Sequence, residues 1–128
     1  MRGVSAQAGW ALPVQVAWAV LAAAWNLAGV VLIARGLRAP GPTASVSGAI
    51  VLVGIAALFF VTIRRWPLAY LLLSVAAGVM ALAAVVNAFV QDPALWPSEF
   101  WRYAGALLNG IGVLAAVGAV AGYSRLRR

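Results

Sequence analysis

The chain has 128 residues, of which 66% are hydrophobic and 9% charged, and its mean hydropathy is +1.02. A soluble domain has about 45–50% apolar and about 25% charged residues, so this composition excludes an ordinary soluble fold and indicates an integral membrane protein. Nine arginines against two acids give a net charge of +7. The arginines cluster at the ends of apolar runs, where they orient membrane helices, so the charge indicates membrane topology rather than nucleic-acid binding. The absence of Cys and His excludes disulfides, iron–sulfur clusters and the usual zinc and haem ligands.

The first apolar run predicts a membrane-spanning helix over residues 13–34. Pro13 suits the first helical turn, and Arg35 with Gly36 ends the run. The run continues well beyond the apolar region of about 7–15 residues in a signal peptide, so we expect this helix to be retained.

Three further runs predict spans over residues 45–63, 67–90 and 100–123. They are separated by a Pro/Gly/Ser loop (residues 38–45), a tight turn (64–67) and a second loop (91–98). Each run has about 19–24 residues, and crossing a hydrocarbon core of about 30 Å needs about 20. The sequence therefore predicts an all-α, four-transmembrane-helix bundle with short loops, forming one integral membrane domain over residues 1–128.

The second loop carries both acids of the chain. Asp92 followed by Pro93 is typical of a short capped turn, while Ser98 can cap the last helix and Glu99 lies in its first turn, where the helix dipole favours negative charge. A catalytic pair of carboxylates would need supporting polar residues, which this loop lacks. The pattern indicates a hairpin at a membrane surface.

The arginines predict orientation. Arg2, Arg64, Arg65, Arg125, Arg127 and Arg128 lie on one side and Arg35, Arg38 and Arg102 on the other, which places both termini in the cytoplasm. Exclusive use of Arg over Lys, with much Ala, suggests a GC-rich bacterial genome, so we expect the protein in the bacterial inner membrane. Amphipathic rings at the ends of the spans predict interface anchors: Trp66, Trp96, Trp101, Tyr103 and Tyr123.

Three asparagines lie inside predicted spans. Counted from the nearest outer boundary, Asn26, Asn87 and Asn109 fall at depths of roughly 13, 8 and 10 Å. They therefore form one outer-leaflet polar layer on helices one, three and four. This layer either provides hydrogen bonds between the helices or lines a pocket that opens to the outer face and suits a quinone or a lipid head group.

Small residues and tryptophans predict faces for helix packing or for a partner. Gly110, Gly118 and Gly122 lie on one ridge of the last helix, including a small-x-x-x-small pair. Trp18 and Trp25 are seven residues apart, on the same face as Leu21, and we expect them to contact a partner or a bound lipid.

The leading functional prediction is a non-catalytic subunit packing against a larger membrane complex, as a scaffold for helices, lipids or a quinone path. The alternative is a small homo-oligomeric transporter or channel that uses the asparagine layer. No span has an acid or base at its centre, which argues against a proton-coupled exchanger, and no nucleophile or metal set favours a membrane enzyme. Expected partners are membrane lipids and other membrane subunits or a second copy; no cofactor is predicted besides a bound lipid or quinone.

Overall fold

The computed structural model describes residues 9–126, with side chains to Ser124. Its four long helices are α1 (Ala11–Ala34), α2 (Val46–Arg65), α3 (Pro67–Val90) and α4 (Glu99–Leu126), with a short 3₁₀ helix at Pro93–Leu95. All four are long and apolar enough to cross a membrane, and no strand occurs within residues 9–126. This confirms the predicted all-helical architecture and indicates a multi-pass membrane protein. Arg2, Arg127, Arg128 and the side chain of Arg125 lie outside the described part.

The helices begin and end at residues with suitable local chemistry. After α1, Gly36 has a positive φ of 75°, and the N–H of Leu37 donates to the carbonyl of Leu32 at 2.8 Å, which closes a Schellman cap. The hydroxyl of Ser45 accepts the N–H of Gly48 at 2.9 Å and caps α2.

The four helices form a ring in which each contacts its neighbours in the order α1, α2, α3, α4. The loops at residues 35–45 and 91–98 lie together at what we call the two-loop end. The start of α1, the turn at Trp66 and the end of α4 lie at the opposite end, the turn end. Helices α3 and α4 share the most extensive interface and α2 and α3 the least extensive, so the ring is loosest between α2 and α3.

The core is built from small side chains and the surface from large apolar ones. Most buried hydrophobic residues are alanines, whereas Ile50, Leu72 and Val90 are 66%, 61% and 75% exposed. Small residues let helix backbones approach closely, which drives association where the surroundings are as apolar as the side chains. The pattern fits a bundle whose outer surface meets lipid rather than water.

Candidate functional site

All four helices contribute to the wall of an open cavity of about 630 Å³ at the two-loop end. The wall becomes more apolar with depth. On α2, Ser47 near the mouth is followed by Val51 and Leu52, and on α3, Asn87 near the mouth is preceded by Met80. The cavity is therefore polar at the mouth and mostly apolar inside, where the amide of Asn109 lies deep on α4 and is bonded to Trp18 and Gly105.

The structure brings all three predicted asparagines into this wall: Asn26, Asn87 and Asn109. They do not bond to one another. The Asn26 amide donates to the carbonyl of Ala22 at 2.9 Å, and its oxygen accepts the N–H of Ser45 at 3.1 Å. Asn26 thus fastens the end of the first loop to α1.

Asn109 joins α4 to a buried tryptophan of α1. Its oxygen accepts the indole N–H of Trp18 at 3.3 Å, and its amide donates to the carbonyl of Gly105 at 3.0 Å. The Asn87 side chain is exposed and has no hydrogen-bond partner within residues 9–126. Of the three amides, that of Asn87 has the most capacity left for a ligand.

Three tryptophans each lie over a glycine of α4. Trp10, which directly precedes α1, lies over Gly118, and on α1 Trp18 lies over Gly112 and Trp25 over Gly105. A Cβ added at these glycines would lie 2.1, 2.7 and 3.4 Å, respectively, from the indole atoms. At Gly118 and Gly112 the missing side chain makes room for the ring, whereas at Gly105 an added Cβ would be in ordinary contact with Trp25. All three tryptophans pack against α4. Gly110 differs, because a Cβ there would meet nothing within 4 Å, while Gly122 is buried.

This packing separates the tryptophans from the face predicted for a partner. Trp18 is 3% exposed whereas Leu21, three residues on, is 57% exposed, so Trp18 packs inside the bundle and Leu21 lies at its surface. Trp25 is half-buried, lines the cavity and packs edge-on against Trp101 with ring centroids 5.7 Å apart. Trp18 lines the cavity too, so both tryptophans face its interior rather than the outer surface of the bundle.

The predicted interface anchors divide into two groups. Trp66, Trp101 and Tyr103 are 59%, 39% and 53% exposed, and Tyr123 is half-buried. Trp96 is only 7% exposed and lies in the cavity wall, so it is an internal residue of the two-loop end.

Arg102 is the charged group of the wall. Its guanidinium donates to the carbonyl of Ala88 at 3.3 Å, forms an ion pair with Glu99, and lies 5.7 and 5.0 Å from the ring centroids of Phe89 and Tyr103. Its side chain is only 12% exposed, and its buried Nε–H has no acceptor in the described part of the chain. Arg102 is therefore fixed in orientation with one donor unsatisfied.

Both acids have local partners at the two-loop end. The Asp92 carboxylate accepts the N–H of Ala94 at 2.9 Å, capping the 3₁₀ helix, and Glu99 pairs with Arg102 one turn later. Neither acid is a wall residue of the cavity. Residues 9–126 contain no group of three or more His, Cys, Asp or Glu side chains arranged to hold a metal ion.

The turn end contains a buried polar cluster that sequence reasoning missed. The Gln15 amide donates to the hydroxyl of Ser74 at 3.0 Å, and its oxygen accepts the hydroxyl of Tyr70 at 2.6 Å. These three side chains are at most 2% exposed, and Tyr70 packs edge-on against Phe59. The signal was available, since Gln15 and Tyr70 are near the starts of their helices at similar depth, and Ser74 is one turn further.

No protein family model, curated protein or solved structure matches this chain. Its function is therefore inferred from the shape of the cavity and the chemistry of the wall.

Proposed function

We propose that the protein is a non-catalytic membrane subunit that holds an amphiphilic molecule, a lipid or a quinone, in the cavity at the two-loop end. The observation that carries this proposal is the gradient of the wall, polar at the mouth and mostly apolar inside, where the deep amide of Asn109 already has partners. A molecule with a polar head and an apolar tail matches that gradient, because each part then meets a wall of its own polarity.

A lateral opening between α2 and α3 would let the tail enter from the membrane. These helices have the least extensive interface of the ring. Val51 on α2 and Met80 on α3 are wall residues, yet they are 52% and 45% exposed. We infer that the cavity reaches the bundle surface between them.

The arginine distribution supports placing the two-loop end on the outer side of a bacterial inner membrane, with both termini in the cytoplasm. Arg64 and Arg65 are exposed in the last turn of α2, where basic side chains also match the helix dipole. The ligand would then be drawn from the outer leaflet and presented to a larger complex or a second copy of the chain.

A cavity-filling variant tests the proposal. Ala84 lines the cavity, and Ala76 is exposed on the same helix outside it. Native mass spectrometry of gently extracted protein should show an amphiphile retained by the native chain and by Ala76→Trp. Ala84→Trp should retain it about tenfold less, since excluding even two methylenes from an apolar wall costs about that factor. Equal retention by both variants would contradict a ligand in this cavity, and co-purifying polypeptides would identify the complex.

Transport is the second candidate function, and the observation that raises it is the difference between the two ends of the bundle. The cavity is open at the two-loop end, and the turn end is packed around the Gln15, Tyr70 and Ser74 cluster, as in a carrier open to one side. Proteoliposomes assayed for fluoride, sodium and potassium flux distinguish the two functions. Flux that Asn109→Leu abolishes in folded protein would favour transport, and no flux above empty liposomes favours a holding role.

A further inference from the structure

The mouth of the cavity carries positive charge with no opposing acid in its wall. Arg102 is a wall residue, and neither Asp92 nor Glu99 is. Glu99 neutralises part of the guanidinium charge, but it is 59% exposed, so solvent weakens its attraction. A ligand head that accepts hydrogen bonds and carries negative charge fits these conditions.

The amino-terminal end of α2 lies in the same mouth. Ser45, Ser47 and Gly48 are wall residues, and the first turn of α2 contains no acid. The N–H of Gly48 is taken by the Ser45 hydroxyl, whereas the N–H groups of Val46 and Ser47 have no acceptor in the described part of the chain. Free N–H groups and the helix dipole at this end favour an anion.

Uncharged donors complete the mouth. The exposed amide of Asn87 has no partner within residues 9–126. The indole nitrogen of Trp25 lies close to Gly41 of the first loop, since a Cβ built on Gly41 would be 3.2 Å from it. Arg38 donates to the carbonyl of Ala94, which ties the two loops together beside the mouth.

We propose that the head held in this mouth is the phosphate of an anionic phospholipid, bound by Arg102 and the first turn of α2. This inference rests on the proposed function, that an amphiphile occupies the cavity. A neutral quinone would leave uncompensated both the helix end and the part of the Arg102 charge that Glu99 does not neutralise. A zwitterionic head would bring an ammonium group to a wall with no acid to receive it.

Two variants with matched controls test the head-group chemistry. Arg102→Gln removes the wall charge, and Arg64→Gln removes the same charge at the turn end. Ser47→Asp adds a negative charge at the mouth without weakening the helix, since acids stabilise a first turn, and Ser98→Asp adds it outside the wall at the same end. Folding of each variant is checked by circular dichroism in detergent.

The measurement is a native mass spectrometry titration of delipidated full-length protein with phosphatidylglycerol and with phosphatidylcholine of identical acyl chains. We expect the native chain to bind phosphatidylglycerol about tenfold more tightly, as one charge-assisted contact provides. Arg102→Gln and Ser47→Asp should bring the two affinities to within about twofold of each other, and the two controls should keep the preference.

Each other outcome overturns a defined part of the proposal. Equal affinities for both lipids, with binding still blocked by Ala84→Trp, would overturn the anionic head and leave the amphiphile-binding function standing. Tighter binding of decylubiquinone would have the same consequence. A rise in melting temperature with inorganic phosphate alone, equal to that with phosphatidylglycerol, would identify free phosphate as the source of the anion. Lipid binding that Ala84→Trp does not reduce would overturn both the head-group inference and the proposed function.

Discussion

Gln15→Leu is expected to destabilise the bundle, because Gln15 is the shared partner of the buried polar cluster. It donates to Ser74 and accepts from Tyr70, and all three side chains are removed from solvent. Interhelical hydrogen bonds in membranes contribute about 0.6 kcal/mol on average and about 1.7 kcal/mol at most, so losing two costs about 1–3 kcal/mol. The cost arises largely from the two hydroxyls left without partners.

The triple variant Gln15→Leu, Tyr70→Phe, Ser74→Ala should recover most of that stability, because no buried polar group is then left unpaired. Unfolding is followed by far-ultraviolet circular dichroism during titration of mixed micelles with sodium dodecyl sulfate. Gln91→Leu makes the same substitution at an exposed position and should change the free energy of unfolding by less than about 0.5 kcal/mol. A Gln15→Leu midpoint equal to that of Gln91→Leu would refute the reasoning, as would a triple variant less stable than the single one.

The remaining predictions concern α4 and are measured by the same titration. Gly112→Ala should lower the free energy of unfolding by about 1–3 kcal/mol because its Cβ would meet the Trp18 ring, whereas Gly110→Ala should leave it unchanged or raise it by up to about 1 kcal/mol; equal effects would show that the ring moves aside without cost. Asn109→Leu should lower the free energy of unfolding by about 0.6–2 kcal/mol, because it removes the acceptor of the Trp18 indole N–H. A change no larger than that of Gly110→Ala would show that this hydrogen bond does not stabilise the bundle.

The number and type of the helices could be predicted because each span needs little beyond length and apolar composition. The helix ends followed from local chemistry. Ser45, at the end of the Pro/Gly/Ser loop, caps α2, and Asp92 caps the short turn as predicted. These features depend on residues close in sequence, so a single chain contains the information needed to infer them.

The common depth of the asparagines was also readable from the sequence, because rise per residue fixes depth along a helix. The rotation of each helix was not, since nearly every side of these helices is apolar. The hydrogen-bond partners of Asn26 and Asn109 therefore could not be predicted. In the structure, Asn26 fastens the first loop to α1 and Asn109 accepts the indole N–H of Trp18. The burial of Trp18 could not be predicted for the same reason, since it depends on Gly112, which lies opposite the ring but ninety-four residues further along the chain.

The contrast between the two ends bears on what the cavity does. A carrier must open its closed end in every cycle, and here that step would separate Gln15 from both Tyr70 and Ser74. In a lipid environment no water replaces those bonds until the path is already hydrated, so the polar cluster opposes opening. A protein that only holds a ligand needs one open end and gains rigidity from a fastened one. The arrangement of a packed turn end below an amphipathic cavity therefore favours holding over transport.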